Sequence, residues 1–228
     1  MCGRFTLTSE EEVLRDAFGL DHVAEDYRPR YNIAPTQPVL ALAGQPEGAP
    51  RTGTLLWGLV PWWTEGSPSE RIINVRAETL ARKFRHHFER RRCVIPADGF
   101  YEWQRTDGAK IPMRIHRPDD RPFAFAGIWD RWKVEGKEPL YTCAIVTTRA
   151  TPALAPIHAR MPVVLNGATW KDWLRRDASA DDLARMLGPA DTALVAYRVS
   201  TFVNSARNDE PACIAPIDAG PDASQLQP

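Results

Sequence analysis

No segment of the sequence approaches the roughly 20 consecutive apolar residues a membrane-spanning helix needs, so no such span and no membrane partner are expected. The opening MCGRFTLTSEEE has neither a signal-type apolar core nor an Arg-rich amphipathic presequence, and a cytoplasmic location is the expectation. There is no CxxC pair: Cys2, Cys93, Cys143 and Cys213 are far apart, which argues against a zinc knuckle and against a disulfide framework. No cluster of ligand-type residues suggests a metal, and no cofactor is expected. Net charge is also missing, because 29 Lys and Arg balance 29 Asp and Glu. Any nucleic-acid contact must therefore use a local patch. Neither a repeat nor an internal linker is visible, and 228 residues at 43% hydrophobic content suffice for one compact, monomeric unit.

Short apolar runs rich in strand formers are present at 38–43, 54–60, 93–95 with 99–103, 111–116, 123–129, 140–147 and 161–165. A helix is expected to begin at Thr8 or Ser9, with Glu11 or Glu12 closing a capping box, Val13, Leu14, Ala17 and Phe18 on one face, and Gly19 as its end. Helical patterns recur at 77–90, 168–176 and 180–187, with Trp170, Trp173 and Leu174 as a buried stripe. Strands dominate without regular alternation with helices, which predicts a mixed, mainly antiparallel α+β domain over 1–205. From 206 to 228, Asp209, Glu210, Asp218 and Asp222 face only Arg207 among Pro, Gly, Ser and Gln, the composition of a mobile acidic tail.

Cys2 draws attention by position. A residue this small in second place permits removal of the initiator Met, which leaves an α-amine and a thiol on one residue. The amine has a typical pKa of about 7.7–8.0, so it is partly unprotonated near neutrality and forms a Schiff base with an aldehyde. The thiol then closes a five-membered thiazolidine on the same carbon. Taken alone, a single cysteine is a weak signal, and an incidental Cys at this position is the commoner case.

Its surroundings carry more. MCGRFTL, YNIAPTQ at 31–37, WGLVPWW at 57–63, NVRAE at 74–78, PADGFYEW at 96–103 and IHARMP at 157–162 occur in this order. Together they resemble the SRAP family, the SOS-response-associated peptidase or abasic-site processing proteins, over about residues 1–205. The resemblance implies one α+β domain with a curved, partly barrel-like, mainly antiparallel sheet flanked by helices. It implies a sensor of abasic sites in single-stranded DNA that forms a reversible thiazolidine cross-link through Cys2 and shields the lesion during the DNA damage response, near the nucleoid. Asn74 resembles the asparagine that orients the N-terminal residue and the opened sugar. Glu102 matches the family's acid/base carboxylate, with Schiff-base, lyase-like chemistry, and His158 the histidine that assists ring opening. An abasic sugar is mostly a closed hemiacetal, so opening it and removing water from the carbinolamine each need a proton transfer. The bland alternatives are a helix cap for Asn74, a surface ion pair for Glu102 and a satisfied turn histidine for His158.

For DNA contact, Arg4, Arg76 and Arg160 each lie two residues from Cys2, Asn74 and His158, and would form a phosphate-binding rim if those segments are extended. The run 82–92 holds Arg82, Lys83, Arg85, Arg90, Arg91 and Arg92 against Glu89, either a basic patch or an ordinary solvated face. Trp62 and Trp63 fall in an expected loop, where a ring can stack on an unpaired base. No helix-turn-helix or zinc-finger pattern is present to read a duplex groove. Thr151 stands where the family usually carries Asn. Two other functions stay open: a self-processing cysteine peptidase with Cys2 as nucleophile, His158 as base and Asn74 or Glu102 as orienting group, and a non-catalytic single-strand binding module.

Overall fold

The computed structural model describes residues 2–44, 50–65, 71–133, 136, 138–189 and 192–217. Strand β1 (Arg4–Leu7) leads by a turn into helix α1 (Glu11–Phe18). The expected capping box does not form: Glu10 is the N-cap without a side-chain bond, and the hydroxyls of Thr8 and Ser9 turn to Asp98 at 2.9 and 3.1 Å. As donors to a charged acceptor the hydroxyls are oriented toward Asp98, and the first N–H groups of the helix are left to water. Gly19 ends α1 in the left-handed region at φ 59°, which glycine adopts without the local strain a side chain brings. Leu14 and Phe18 are buried, whereas Val13 and Ala17 of the expected apolar face are exposed.

Next come β2 (Arg30–Ile33), β3 (Pro38–Ala43), β4 (Arg51–Trp57) and β5 (Asn74–Arg76). The helical pattern at 77–90 is two helices, α2 (Ala77–Lys83) and α3 (Arg85–Arg90), broken at Phe84, whose φ of −128° and ψ of 40° leave the helical region. Strands β6 (Arg92–Ala97), β7 (Gly99–Thr106) and β8 (Ala109–His116) follow. Asp107 and Gly108 join β7 to β8 with φ of 49° and 78°, the two-residue hairpin loop that requires positive φ at both positions. The chain continues through β9 (Phe123–Trp132), β10 (Leu140–Arg149), β11 (Arg160–Pro162) and β12 (Val164–Leu165). It then forms α4 (Thr169–Leu174), α5 (Ala180–Arg185), β13 (Val195–Arg198) and 3-10 turns at Thr201–Asn204 and Pro211–Cys213.

The strands form two sheets. One runs β13-β8-β7-β1-β2 and is antiparallel throughout. The other runs β11-β10-β4-β3-β6-β9-β12, and an additional β9–β10 ladder closes β10, β4, β3, β6 and β9 into a barrel-like ring. Among the described residues only the β10–β4 and β10–β5 ladders are parallel. This is the mainly antiparallel, partly barrel-like α+β domain that the motifs implied. Phe5 of β1 binds the two sheets together, packing edge-on against Trp57 at 5.3 Å and Phe125 at 5.6 Å. Because Phe5, Trp57 and Phe125 are all essentially inaccessible, this contact fixes the start of the chain against the barrel.

A mobile tail from 206 is not what residues 206–217 form. Asp209 accepts the backbone N–H groups of Tyr31 and Asn32 at 2.6 and 2.9 Å and pairs with Arg30. Cys213 is fully buried, and Val199 bridges Pro216. Acidic composition argued for solvent, but these acceptors sit where edge strand β2 leaves N–H donors unsatisfied. Asp218 and Asp222 lie outside the described residues.

Candidate active site

Strand pairing assembles the site. In the β1–β7 ladder Phe5 opposes Phe100 and Arg4 opposes Tyr101, so the antiparallel register carries the next positions, Gly3 and Glu102, opposite each other beside Cys2. On the barrel side β10 lies between β5 and β11: Ile145 pairs with Asn74 and Arg149 with Arg160. His158 precedes β11 in a tight turn, held by its N–H to the carbonyl of Leu154 at 3.1 Å and anchored by buried Leu154. The carbonyl of Thr151 starts that turn by accepting from Leu154 and Ala155 at 3.0 and 2.9 Å. A backbone acceptor needs no Asn side chain.

Four expected residues thereby come together. The Asn74 amide donates to the Cys2 carbonyl at 2.7 Å, and no side-chain cap is made to α2, whose N-cap is Arg76. Asn74 Oδ1 is buried and has no hydrogen-bond partner among the described residues. Nδ1 of His158 lies 3.8 Å from Oε1 of Glu102. That nitrogen also sits 3.1 Å from the Arg160 N–H and 2.9 Å from its carbonyl, so the turn backbone fixes the ring. Glu102 is only 4% exposed, which rules out a surface ion pair.

Burial raises the Glu102 pKa above the usual carboxylate value, against the pull of His158. The Cys2 thiol is also fully buried; burial, with Glu102 adding to it, pushes its pKa well above the normal range. Its Sγ donates to the Arg4 carbonyl at 3.6 Å. The pair is thus a neutral thiol beside a carboxyl group reluctant to ionise, an arrangement suited to passing protons. Among the described residues no group of three or more His, Cys, Asp or Glu is placed to hold a metal ion.

The expected DNA-contact residues differ in their commitments. Arg4 is turned inward, donating to Asn32 Oδ1 at 2.9 Å and to the Val203 and Asn204 carbonyls at 2.8 and 3.1 Å. Arg160 forms a bidentate pair with Glu78 at 3.1 and 3.0 Å and donates to the Thr147 carbonyl at 2.6 Å. Arg76 and Arg82 are exposed. In the basic run, Arg85 pairs with Glu89, Arg91 with Asp130, and Arg92 is buried with donors on the carbonyls of Phe88, Glu89, Trp173 and Arg175. Arg82, Lys83 and Arg90 of that run face solvent. Trp62 and Trp63 are 58% and 49% exposed, while Trp170 and Trp173 are core.

Two supports were not singled out from the sequence. Asp98 accepts from Thr6, Thr8 and Ser9 and pairs with Arg114. Asn32 donates to the carbonyls of Val203, Ser205 and Asn208. Both lie inside quoted motifs, PADGFYEW and YNIAPTQ, and a polar residue flanked by core strand formers was the available signal.

Fold and site define an α+β protein of one domain whose candidate centre gathers an Asn, a Glu and a His around a cysteine at position 2. The chain belongs to the SOS response associated peptidase (SRAP) family, whose model matches residues 1–206. It is 42% identical to the Abasic site processing protein YoqW of Bacillus subtilis over 94% of this chain and 99% of that one. To the Abasic site processing protein HMCES of Gallus gallus it is 35% identical, covering 85% of this chain and 68% of the relative. A solved Bacteroides thetaiotaomicron protein superposes with a TM-score of 0.84 at 26% identity, over 95% of this chain and all of that one.

Proposed function

We propose that this protein processes abasic sites in single-stranded DNA by cross-linking to them reversibly through Cys2 once Met1 is removed. The observation that carries the reading is the convergence of Asn74, Glu102 and His158 on Cys2, with the 2.7 Å bond from Asn74 to the Cys2 carbonyl fixing the residue that must react. The names of the relatives point to the same substrate.

In the proposed sequence, His158 promotes opening of the hemiacetal to the aldehyde. The α-amine of Cys2 adds to the aldehyde carbon, and Glu102 delivers the proton with which the carbinolamine loses water. The thiol then adds to the carbon of the iminium so formed and its proton returns to Glu102, so amine, thiol and aldehyde give thiazolidine and one water. Glu102, whose pKa burial raises, is suited to giving up the proton of the dehydration step and, on reversal, of ring opening. The exposed Trp62, Trp63, Arg76 and Arg82 supply base stacking and phosphate contacts. Arg4 and Arg160 keep their inner partners and contribute positive potential at the rim. The peptidase reading rests on the same residues and on the family's name, whereas the printed names of the relatives point to abasic sites.

Insertion of one residue between Met1 and Cys2 moves the amine off the thiol-bearing residue. Denaturation-resistant cross-linking to an oligonucleotide with one abasic site should then vanish. If it persists, the thiazolidine mechanism is wrong; if the unaltered protein, with Met1 removal verified by intact mass, never cross-links, the function is.

A further inference from the structure

Residues 61–64 form a tight turn, closed by the Thr64 N–H on the Pro61 carbonyl at 2.9 Å, that pushes Trp62 and Trp63 outward. Two exposed indoles at the tip of a turn are costly to hold still, and a stacking surface is useful only when it is preorganised. Strand β9 grips this turn at both ends. The Trp62 N–H donates to Oδ2 of Asp130 at 2.8 Å, and the Trp132 indole N–H donates to the Thr64 carbonyl at 2.9 Å. Asp130 and Trp132 are two residues apart and so lie on one face of the strand.

Asp130 does more than hold a loop. Its carboxylate is completely buried, yet it receives Nε2 of His87 at 2.8 Å, the Arg131 N–H at 2.7 Å and the guanidinium of Arg91. Burial alone would favour the protonated acid; the His87 and Trp62 donors outweigh it and hold the group ionised. His87 belongs to α3 and in turn packs edge-on against the Trp63 ring at 5.6 Å. One buried charge therefore ties the tryptophan turn to the helix pair whose exposed Arg82, Lys83 and Arg90 are the free cations of the basic run.

We propose that Asp130, assisted by Trp132, is a positioning residue for single-strand binding: it locks the Trp62-Trp63 turn and α3 into one rigid platform on which an unpaired base stacks beside phosphate-binding cations. This rests on the reading that the protein binds single-stranded DNA. The sign of one effect separates positioning from plain electrostatics. Replacing Asp130 by Asn deletes a negative charge and releases Arg91, and both changes on charge grounds tighten the grip on a polyanion. Loss of the platform weakens it.

The test measures affinity for an intact single-stranded oligonucleotide by fluorescence anisotropy, and separately the cross-linking rate at saturating abasic oligonucleotide. Asp130→Asn should weaken binding about tenfold, as should Trp62→Ala, and the double variant should also lose about tenfold and not a hundredfold, because both act through one platform. The loss should be confined to affinity. Trp132→Phe, which leaves the buried charge intact, should weaken binding about threefold and decides the matter if Asp130→Asn does not fold. Unchanged or tighter binding in these variants, additive losses in the double variant, or a matching fall in the saturated cross-linking rate overturns the proposal. Failure of the unaltered protein to cross-link sinks the function instead, while anisotropy on the intact strand still judges Asp130.

Discussion

Glu102 is a buried carboxyl group whose protonation is linked to folding. Burial raises its folded-state pKa, so folding favours the protonated acid, and the stability this gives is present at acid pH and lost as pH rises through the raised value. Glu102→Gln is always neutral and escapes that loss. Its melting temperature relative to the unaltered protein should therefore increase between about pH 4 and pH 8, while cross-link formation falls by about 10²–10⁴-fold. An unchanged rate would remove Glu102 from the mechanism. Gly127 is a residue-scale constraint of another kind: a Cβ there would lie 2.9 Å from Cys93 Sγ and 3.3 Å from the Ala144 carbonyl, inside the barrel. Gly127→Ala should cost about 1–3 kcal/mol, read as a lowered denaturant midpoint with unchanged slope. Cys2 could be singled out at this scale because the motifs around it gave weight to its position. The commitment of Arg4 to Asn32 and the Val203 and Asn204 carbonyls could not be, because those partners are remote in sequence.

Among the elements, β1 is the strand that Cys2 directly precedes, and its register depends on a neighbour. Asp98 takes the Thr6 hydroxyl at 2.6 Å and the Ser9 N–H at 2.9 Å, pinning the strand and the turn that follows. Asp98→Ala leaves these donors buried or half-buried without an acceptor. It should cost about 2–4 kcal/mol and slow cross-linking as Cys2 loses its register, measured by urea denaturation and by cross-linking kinetics. Retention of full stability would show that Phe5 packing alone sets β1. Long strands such as β3, β9 and β10 were readable because continuous apolar runs mark strands buried on both faces. The strands β1, β2, β5 and β13 have only 4, 4, 3 and 4 residues, too few for a period to register. The break at Phe84 was likewise hidden, since helical periodicity continues across it.

At the scale of the whole molecule the described C-terminal segment is structural. A chain ended at residue 205 loses Asp209 from the β2 N–H groups and Arg30, and buried Cys213 from its cluster with Tyr101, Val199 and Val203. It should unfold at least several degrees lower than the full chain in a thermal melt, at about 2–4 °C per kcal/mol for a domain this size. An identical melting temperature would restore the tail reading. The family model stops at 206, whereas packing continues through the described residues to 217, where Asp209 serves the N–H groups of edge strand β2. The sequence by itself determined the class of fold, through apolar runs that can be buried only as strands, and the residue types of the site, through motifs whose order is independent of conformation. Only the tertiary structure decided which charges are spent internally, how β10 brings Asn74 and His158 to one place, and that a single buried carboxylate at Asp130 joins the tryptophan turn to the basic helices. Those outcomes depend on contacts between residues tens of positions apart, and local sequence carries no record of distance across the fold.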